Sequence, residues 1–186
     1  CALPISLQIL KTSFIQGKKL TKKSKMQILT ILFGIFIGLI TKFFFLDLVK
    51  VKGTSMEPSI QDGKILAVSK ISYGLVKPFG DSLLFSWASP KEGDVVIYMY
   101  ENKMVIKRCV ALSGCPLEYY ENSSYTLGVG TKIYPLTPVQ YYKMHSVSKI
   151  PEGYILAIGD NAEVSIDSRD YGFIPVRNVI GRALVK

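Results

Sequence analysis

A serine that could act as a nucleophile lies in the segment VKGTSMEPS, residues 51–59. Gly53 allows close backbone approach two residues before Ser55, and Pro58 restricts the chain just after it. A serine hydroxyl is a weak nucleophile until a neighbouring base removes its proton. If Ser55 attacks a carbonyl carbon, another part of the chain must therefore supply that base. Taken alone, a segment of this kind is more often an ordinary turn.

Two side chains are candidates for the base. His145, the single histidine, stands in the tyrosine-rich segment YYKMHSVSK without a motif around it, which predicts a surface or loop position. Lys107 lies in the strand-like run MVIKRCVAL, where alternation places it on one face with Val105 and Cys109. Burial disfavours the ammonium form, so the pKa of Lys107 would fall toward that of a general base. A lysine that reaches solvent from a strand edge would give the same pattern.

A third polar segment, GDNAEVSIDSRDYG, occupies residues 159–172. Asp167 and Arg169 are close enough in sequence to pair, and Ser165 can orient a neighbouring group by hydrogen bonding. The same residues are also compatible with a structural network of turns. For Asp160, Asp167 and Arg169 we expect that supporting role, which would hold the site together.

These residues need a rigid scaffold, and the sequence after Lys52 predicts β-strands. Short runs of β-branched and aromatic residues alternate there with Gly, Pro, Asp and Asn. The predicted strands are Lys64 to Val68, Asp94 to Tyr100, Met104 to Ala111, Tyr154 to Ile158 and Val179 to Val185. Leu75 to Pro90 and Tyr119 to Tyr142 are predicted to be surface hairpins or loops.

An apolar run from Met26 to Val49 precedes the Ser55 segment and is long enough to span a bilayer, which needs about 20 residues. A buried core helix is the alternative, but the run lacks a polar face. Lysines precede it and the first acidic residue is Asp47, so the positive-inside rule predicts a cytoplasmic N-terminus. The expected organisation is a basic cytoplasmic segment (1–25), an uncleaved signal anchor (26–49) and an extracytoplasmic domain (50–186).

The charge distribution and the cysteine content reduce the number of possible functions further. The net charge is +9, but the excess of basic residues lies before Asp47, so the remainder is nearly balanced and nucleic acid is a poor candidate partner. Three cysteines and one histidine are too few for a usual tetrahedral metal site, and no cofactor is expected. Cys109 and Cys115 could pair in an oxidising compartment or remain free thiols.

The segments SMEP, GDVVIY, IKRCVALSG and GDNAEVSIDSRDYGFIP occur in this order. Together they resemble the bacterial type I signal peptidases, Ser/Lys proteases that remove signal peptides from exported proteins. The resemblance runs from about Val51 to Lys186 and weakens across 119–148. It implies a mainly β fold, with an antiparallel β-sheet catalytic domain after one transmembrane helix. It also implies a single-pass protein of the bacterial inner membrane, with a periplasmic or extracellular domain that rests an apolar surface on the bilayer.

The resemblance assigns a role to each polar residue of the site. It makes Ser55 the nucleophile, Lys107 its base and Ser165 the residue that hydrogen-bonds and orients the lysine amine. Asp167 and Arg169 become a supporting ion pair. The backbone N–H of Ser55 would stabilise the oxyanion of the tetrahedral intermediate.

The resemblance also implies the substrate, a preprotein with small residues at positions −1 and −3. Such a peptide would bind as an added β-strand, become acylated onto Ser55 and be released by water that Lys107 activates. Met56 and Ile106 flank the two residues of the dyad, and we expect them to line the pockets for those small side chains. They would also suit an ordinary core.

Two departures from the family pattern are visible. Some relatives carry a serine two positions before the nucleophile as a second oxyanion donor, whereas this chain has Gly53 there and Thr54 next. The lysine motif usually continues into Pro-Gly-Asp, but here it reads Ser113-Gly-Cys115, for which we expect altered local packing and retained activity.

Three other functions remain under consideration. A specialised processing peptidase of the same superfamily, of the conjugation or pilin type, would use the same chemistry. A non-catalytic, membrane-tethered scaffold would have no use for both Ser55 and Lys107. A nucleic-acid-binding module is disfavoured by the apolar span and by the lack of a helix-turn-helix segment.

Overall fold

The computed structural model describes residues 21–77, 80 and 82–185. The chain divides into two compact units, with the boundary between Ile40 and Thr41. The first contains one helix, α1 (Lys22–Ile40), and the second contains all the strands. The first 20 residues of the predicted cytoplasmic segment lie outside the described residues.

Helix α1 has 19 residues, none of which is buried by the rest of the chain. By length and composition it could cross a membrane, because 19 residues of α-helix extend roughly 28 Å and a hydrocarbon core is roughly 30 Å thick. The helix begins four residues before the predicted start at Met26. Thr21 caps its first turn, accepting a hydrogen bond from the Ser24 amide at 3.2 Å.

The end of the predicted span differs from the structure. A π-helical turn, Thr41–Phe45, follows α1, and Leu46–Lys50 is strand β1 instead of membrane helix. The strand alternates exposed and half-buried residues, and Asp47 pairs with Lys70 at 3.0 Å. A count of apolar residues cannot separate such a strand from a helix when the two are contiguous.

The second unit is built on a seven-stranded sheet in the order β1-β2-β12-β5-β6-β10-β11, and all its recorded pairings are antiparallel. This confirms the predicted fold class. The strands of this sheet are β1 (Leu46–Lys50), β2 (Ile65–Ser69), β5 (Val95–Tyr100), β6 (Lys103–Leu112), β10 (Tyr154–Ile158), β11 (Ile174–Pro175) and β12 (Val179–Ala183).

Two smaller sheets are inserted in the regions predicted to be hairpins or loops. One is the hairpin β3 (Gly74–Val76) and β4 (Leu83–Ser86). The other is a meander of three strands that packs against helix α2 (Pro138–Met144). Its strands are β7 (Glu118–Glu121), β8 (Tyr125–Val129) and β9 (Lys132–Leu136).

The large sheet has apolar side chains on both faces, and alternation along β6 distributes them. Ile106 packs on one face with the cluster that contains Met56 and Val51. Val105 and Cys109 pack on the other face with the cluster that contains Tyr98. Because neighbouring residues of a strand point to opposite faces, β6 joins the two cores and fixes where Lys107 points.

Candidate active site

Ser55 lies in the turn between β1 and β2, and buried neighbours anchor that turn. Met56 and Ile60 are 1% and 0% exposed, and the Ile60 amide donates to the Met56 carbonyl at 2.8 Å. Gly53 has φ of +91°, which favours glycine, and its amide donates to Asp62 Oδ1 at 2.8 Å. The turn therefore holds a half-buried serine at a fixed place next to buried residues of the core.

Lys107 reaches this serine from β6. Its Nζ donates to Ser55 Oγ at 2.7 Å, although the two residues are 52 positions apart in sequence. Lys107 is only 4% exposed. Burial lowers the pKa of its amine, the charge of Arg169 lowers it further, and the carboxylate of Asp167 opposes them. The arrangement thus makes the neutral amine easier to form than in water, and the amine lies within hydrogen-bonding distance of the serine hydroxyl.

The predicted pair of Asp167 and Arg169 is present and fully buried, with the two side chains 0% and 1% exposed. Arg169 Nε and Nη2 each donate to one carboxylate oxygen of Asp167 at 2.9 Å. The guanidinium also donates to the backbone oxygens of Pro135 in β9, at 2.8 Å, and Ala162, at 2.6 Å. Asp167 in turn accepts from the Gly159 amide at 3.0 Å. The pair therefore connects separate residues of the 159–172 loop with one another and connects the loop with the meander.

Asp160 forms a second ion pair, with Arg108. Arg108 Nε and Nη2 donate to the two oxygens of Asp160 at 2.7 and 2.6 Å. The hydrogen bonds that the guanidinium donates to the Asp160 carboxylate raise the pKa of Arg108. Since Arg108 follows Lys107 in β6, the pair fixes the loop to the strand beside the amine. A signal for this ion pair was present in the sequence. Lys107 and Arg108 are adjacent in IKRC, and in a strand the side chains of adjacent residues point to opposite faces.

Asn161 joins the same loop to the serine turn and was missed by the sequence analysis. The backbone N–H of Asn161 donates to the Ser55 carbonyl at 3.0 Å, and its side-chain Nδ2 donates to the Thr54 carbonyl at 3.3 Å. The GDN tripeptide was the available signal, but a contact to backbone atoms more than 100 positions away has no pattern in sequence.

Gly159 is also part of the site, because no residue larger than glycine fits at this position. A Cβ there would lie 2.4 Å from the Ser55 carbonyl oxygen and 2.2 Å from Ser165 Oγ. Both distances are far shorter than the roughly 3.5 Å of ordinary contact. The bare Cα therefore lets the loop approach the serine turn closely.

Ser165 departs from its expected contact. It is 5% exposed, and its Oγ has no hydrogen-bond partner among the described residues. The predicted hydrogen bond between Ser165 and the Lys107 amine is therefore not formed here. The physical reason lies in the packing, because Lys107 extends to Ser55 while the Ser165 hydroxyl lies against the Cα of Gly159.

The backbone amide of Ser55 makes no hydrogen bond to any other described residue. It is thus available as a donor beside the hydroxyl, as expected of an oxyanion donor. The Gly53 amide is already used by Asp62, and Thr54 is exposed. A second donor is not evident within the described turn.

A groove of about 510 Å³ runs from Ser55 and Lys107 along β6, and both Met56 and Ile106 line it. Its floor is an open strand edge. Strand β10 pairs with β6 only from Arg108 to Leu112, so Lys103 to Lys107 have β5 on one side and no described strand on the other. Their free N–H and C=O groups could pair with an extended peptide.

The remaining candidates lie elsewhere. His145 ends helix α2, with Nδ1 3.2 Å from the Tyr141 carbonyl and its ring stacked on Tyr141. Cys109 and Cys115 are free thiols. Burial, with help from nearby carboxylates, raises the pKa of Cys109 to about 12, so this thiol stays protonated. Among the described residues, no group of three or more His, Cys, Asp or Glu side chains could hold a metal ion.

Comparison with known proteins agrees with the motifs. The family model described as signal peptidase, peptidase S26, matches residues 24–186. The probable signal peptidase I-1 of Synechocystis sp. is 33% identical over 152 residues, which cover 81% of this chain and 75% of that protein. Signal peptidase I of Pseudomonas aeruginosa is 28% identical over 190 residues, covering 80% of this chain and 67% of that protein.

Two further similarities were found. Thylakoidal processing peptidase 1 of Arabidopsis thaliana is 30% identical over 138 residues, covering 73% of this chain and 40% of that protein. A crystal structure of a signal peptidase I from Enterococcus faecalis V583 aligns with a TM-score of 0.36 and 22% identity, over 52% of this chain and 98% of that chain. The family match and the Synechocystis relative confirm the resemblance carried by the motifs. This chain therefore belongs to the type I signal peptidase family, peptidase S26, whose members are serine endopeptidases.

Proposed function

We propose that this chain is a membrane-bound endopeptidase that removes signal peptides from exported preproteins with a dyad of Ser55 and Lys107. The observation that carries the proposal is the 2.7 Å separation between Lys107 Nζ and Ser55 Oγ, with the lysine 4% exposed. A buried amine next to a serine hydroxyl supplies the base that a serine nucleophile needs. His145 packs on Tyr141 and is given no part in the reaction.

In the first step, the neutral amine of Lys107 accepts the hydroxyl proton as Ser55 Oγ attacks the carbonyl carbon of residue −1. The developing oxyanion accepts a hydrogen bond from the Ser55 amide. The ammonium then gives its proton to the leaving nitrogen, which becomes the N-terminus of the mature protein. In the second step, Lys107 removes a proton from water as the water oxygen attacks the acyl-enzyme, and the ammonium returns that proton to Ser55 Oγ as the signal peptide leaves with a free carboxyl terminus.

The ion pairs support this chemistry by holding the 159–172 loop in place. Asp167 and Arg169 shape the loop, Asp160 fixes it to Arg108 beside the base, and Asn161 fixes it to the nucleophile turn. We assign these residues to positioning. A change of about 1 Å in the relation of nucleophile and base costs about 10²-fold in rate, so such restraints matter.

The substrate binds in the groove as a strand added to the free edge of β6. Met56 and Ile106 line the pockets for the side chains at −1 and −3, and small residues are preferred because the buried Met56 cannot move aside for a larger side chain. The preference follows from the cost of overpacking, which is typically about 1–3 kcal/mol for each poorly accommodated side chain.

The membrane part of the proposal rests on α1. Its length, its apolar composition and the lysines before it favour a signal anchor with a cytoplasmic N-terminus and an extracytoplasmic catalytic unit. Only Thr41–Phe45 separates the helix from β1. The inner membrane of a bacterium is the location that this orientation implies.

The test is cleavage of a secretory precursor with an Ala-x-Ala site by the purified full-length chain in detergent. Ser55→Ala and Lys107→Ala should each abolish cleavage. Ser123→Ala and Lys132→Ala, which change exposed residues of the meander, should cleave like the wild type. Full activity of Lys107→Ala would show that another group is the base. Cleavage of a dedicated pilin-like precursor alone would point to the specialised processing peptidase.

A further inference from the structure

Helix α2 contacts the loop that holds the dyad in place. Gln140 makes this contact from inside the protein, since it is only 8% exposed. Its side-chain Nε2 donates a hydrogen bond to Asp170 Oδ1 at 2.7 Å, although the two residues are 30 positions apart in sequence. Lys143, one turn further along α2, donates from Nζ to the Asp170 carbonyl oxygen. Two side chains of α2 therefore hold one residue of the 159–172 loop.

Asp170 connects this contact to the residues that position the dyad. It lies in a short helix, α3 (Ser168–Tyr171), and its Oδ2 accepts a hydrogen bond from the Asp167 amide at 2.9 Å. The Asp167 carboxylate in turn accepts from the Gly159 amide at 3.0 Å. Gly159 lies close against the Ser55 carbonyl oxygen. Hydrogen bonds thus connect α2, step by step, to the residue that touches the nucleophile turn.

The side-chain amide of Gln140 is used at both ends, and only one end serves the helix. Its Oε1 accepts from the Thr137 amide at 2.9 Å, and the Gln140 backbone amide donates to Thr137 Oγ1 at 3.2 Å, which completes the capping box of α2. A capping box needs only the side-chain oxygen at this position, so a glutamate would serve the helix equally well. The amide nitrogen is therefore present for Asp170 and has no part in the cap.

We propose that Gln140 is a positioning residue of the active site, which fixes the Ser55 turn relative to Lys107 through Asp170 and Asp167. The inference rests on the proposed function, because it takes Ser55 and Lys107 as the dyad. Without the Gln140 donor, the half-buried Asp170 carboxylate loses a charge-assisted hydrogen bond, and the end of the loop is free to shift. The meander and its helix would then take part in catalysis without touching the substrate.

The test compares cleavage of an Ala-x-Ala precursor by full-length variants in detergent. Gln140→Met has a similar volume and no donor. It should lower kcat by about tenfold, less than the roughly 10²-fold cost of a 1 Å misplacement, because two further hydrogen bonds separate Gln140 from Gly159. KM should stay within about twofold, since Gln140 does not line the groove. Because the Asp170 charge raises the pKa of Lys107, each kcat is taken where the rate no longer rises with pH.

Thr137→Val is the matched control. It removes the hydroxyl from the same cap and keeps the hydrogen bond between Gln140 and Asp170. It should therefore lower the urea midpoint, as loss of a cap does, and keep the wild-type kcat.

A second comparison exchanges donor and acceptor. In Asp170→Asn, the new amide nitrogen must face either the Asp167 amide or Gln140 Nε2, both of which are donors, so kcat should again fall by about tenfold. Adding Gln140→Glu supplies an acceptor for that nitrogen and keeps the cap of α2. The double variant should therefore recover to within about threefold of the wild-type kcat.

A folded Gln140→Met with kcat within about twofold of the wild type would overturn the proposal. An equal loss of kcat in Thr137→Val would also overturn it, because the cap alone would then explain the effect. If Asp170→Asn is impaired and the double variant does not recover, the contact is not what positions the dyad; this comparison decides the matter should Gln140→Met not fold. Ser55→Ala tests the proposed function separately. Cleavage by that variant, or none by the wild type, would remove both.

Discussion

Replacing Gly159 with alanine should strongly lower the activity of the enzyme while leaving its fold intact. The added Cβ would lie 2.4 Å from the Ser55 carbonyl oxygen and 2.2 Å from Ser165 Oγ, which is roughly 1 Å closer than two such atoms normally approach. One obstacle is backbone, so a side-chain rotation cannot relieve both contacts. The Ser55 carbonyl must move away, and it then weakens its 3.0 Å hydrogen bond from the Asn161 amide.

The magnitude follows from that displacement. A shift of about 1 Å between reacting groups costs about 10²-fold in rate, so kcat/KM for precursor cleavage should fall by about that factor. Overpacking at one buried site typically costs about 1–3 kcal/mol, which a domain of this size can lose and remain folded. Activity should therefore fall much more than the free energy of unfolding.

The assay compares kcat/KM on an Ala-x-Ala precursor with the urea midpoint of the same preparation. Gly128→Ala is the control, because its Cβ would meet a tyrosine ring carbon at 3.0 Å in the meander, where a side chain can yield. It should lose some stability and little activity. If Gly159→Ala cleaves within about twofold of the wild type while folded, the close approach of the loop does not position Ser55 and the reasoning is wrong.

Four further expectations can be measured on the same protein. Activity should rise with pH through the lowered pKa of Lys107, since only the neutral amine accepts the Ser55 proton; a rate that is flat over the whole pH range in which the protein stays folded would contradict this. Lys107→Met should be inactive, yet at pH 7 it should unfold at a higher urea concentration than the wild type. This difference in stability should shrink as the pH rises from the lowered pKa of folded Lys107 toward the ordinary 10.5, because in that window the unfolded wild type binds more protons than the folded one. Ser165→Ala should keep the wild-type free energy of unfolding, measured in urea, within about 1 kcal/mol, since the hydroxyl has no partner to lose; a larger loss would show a missed hydrogen bond. Arg169→Met should cost about 3–5 kcal/mol by leaving Asp167 buried and unpaired, and a normal melting curve would refute that role.

Much of the sheet could be predicted because half-buried strands alternate with a period of two. Tyr154–Ile158 was predicted with its observed bounds, and Lys103–Leu112 within one residue at each end. The C-terminal end of the apolar span could not be predicted in the same way. Helix and strand both tolerate the run FFFLDLV, and only the pairing of β1 with β2 decides between them.

In the site, the residues that act through their side-chain chemistry could be predicted, and those that act through backbone contacts could not. Ser55 and Lys107 were candidates because their residue types imply a nucleophile and a base, and the Asp167 and Arg169 pair because opposite charges stood two positions apart. Asn161 and Gly159 were missed as site residues. Asn161 acts by contacting backbone atoms of a distant turn, and Gly159 acts because it has no side chain. Neither role leaves a pattern in a single sequence.

The loop from Gly159 to Gly172 explains why a small sheet protein can hold a buried lysine at a serine. Burying Lys107 costs free energy, because its ammonium form loses hydration, and the strand alone would let the side chain turn toward solvent. The loop prevents this by three ties to different elements: Asn161 to the turn of Ser55, Asp160 to Arg108 of β6, and Arg169 to the backbone of β9. The ties of Asn161 and Arg169 join parts that the sheet does not itself connect, and the tie of Asp160 reinforces the pairing of β10 with β6. Loosening the Asn161 or Asp160 tie should therefore lower the rate more than the stability of the domain, whereas loss of Arg169 should lower both.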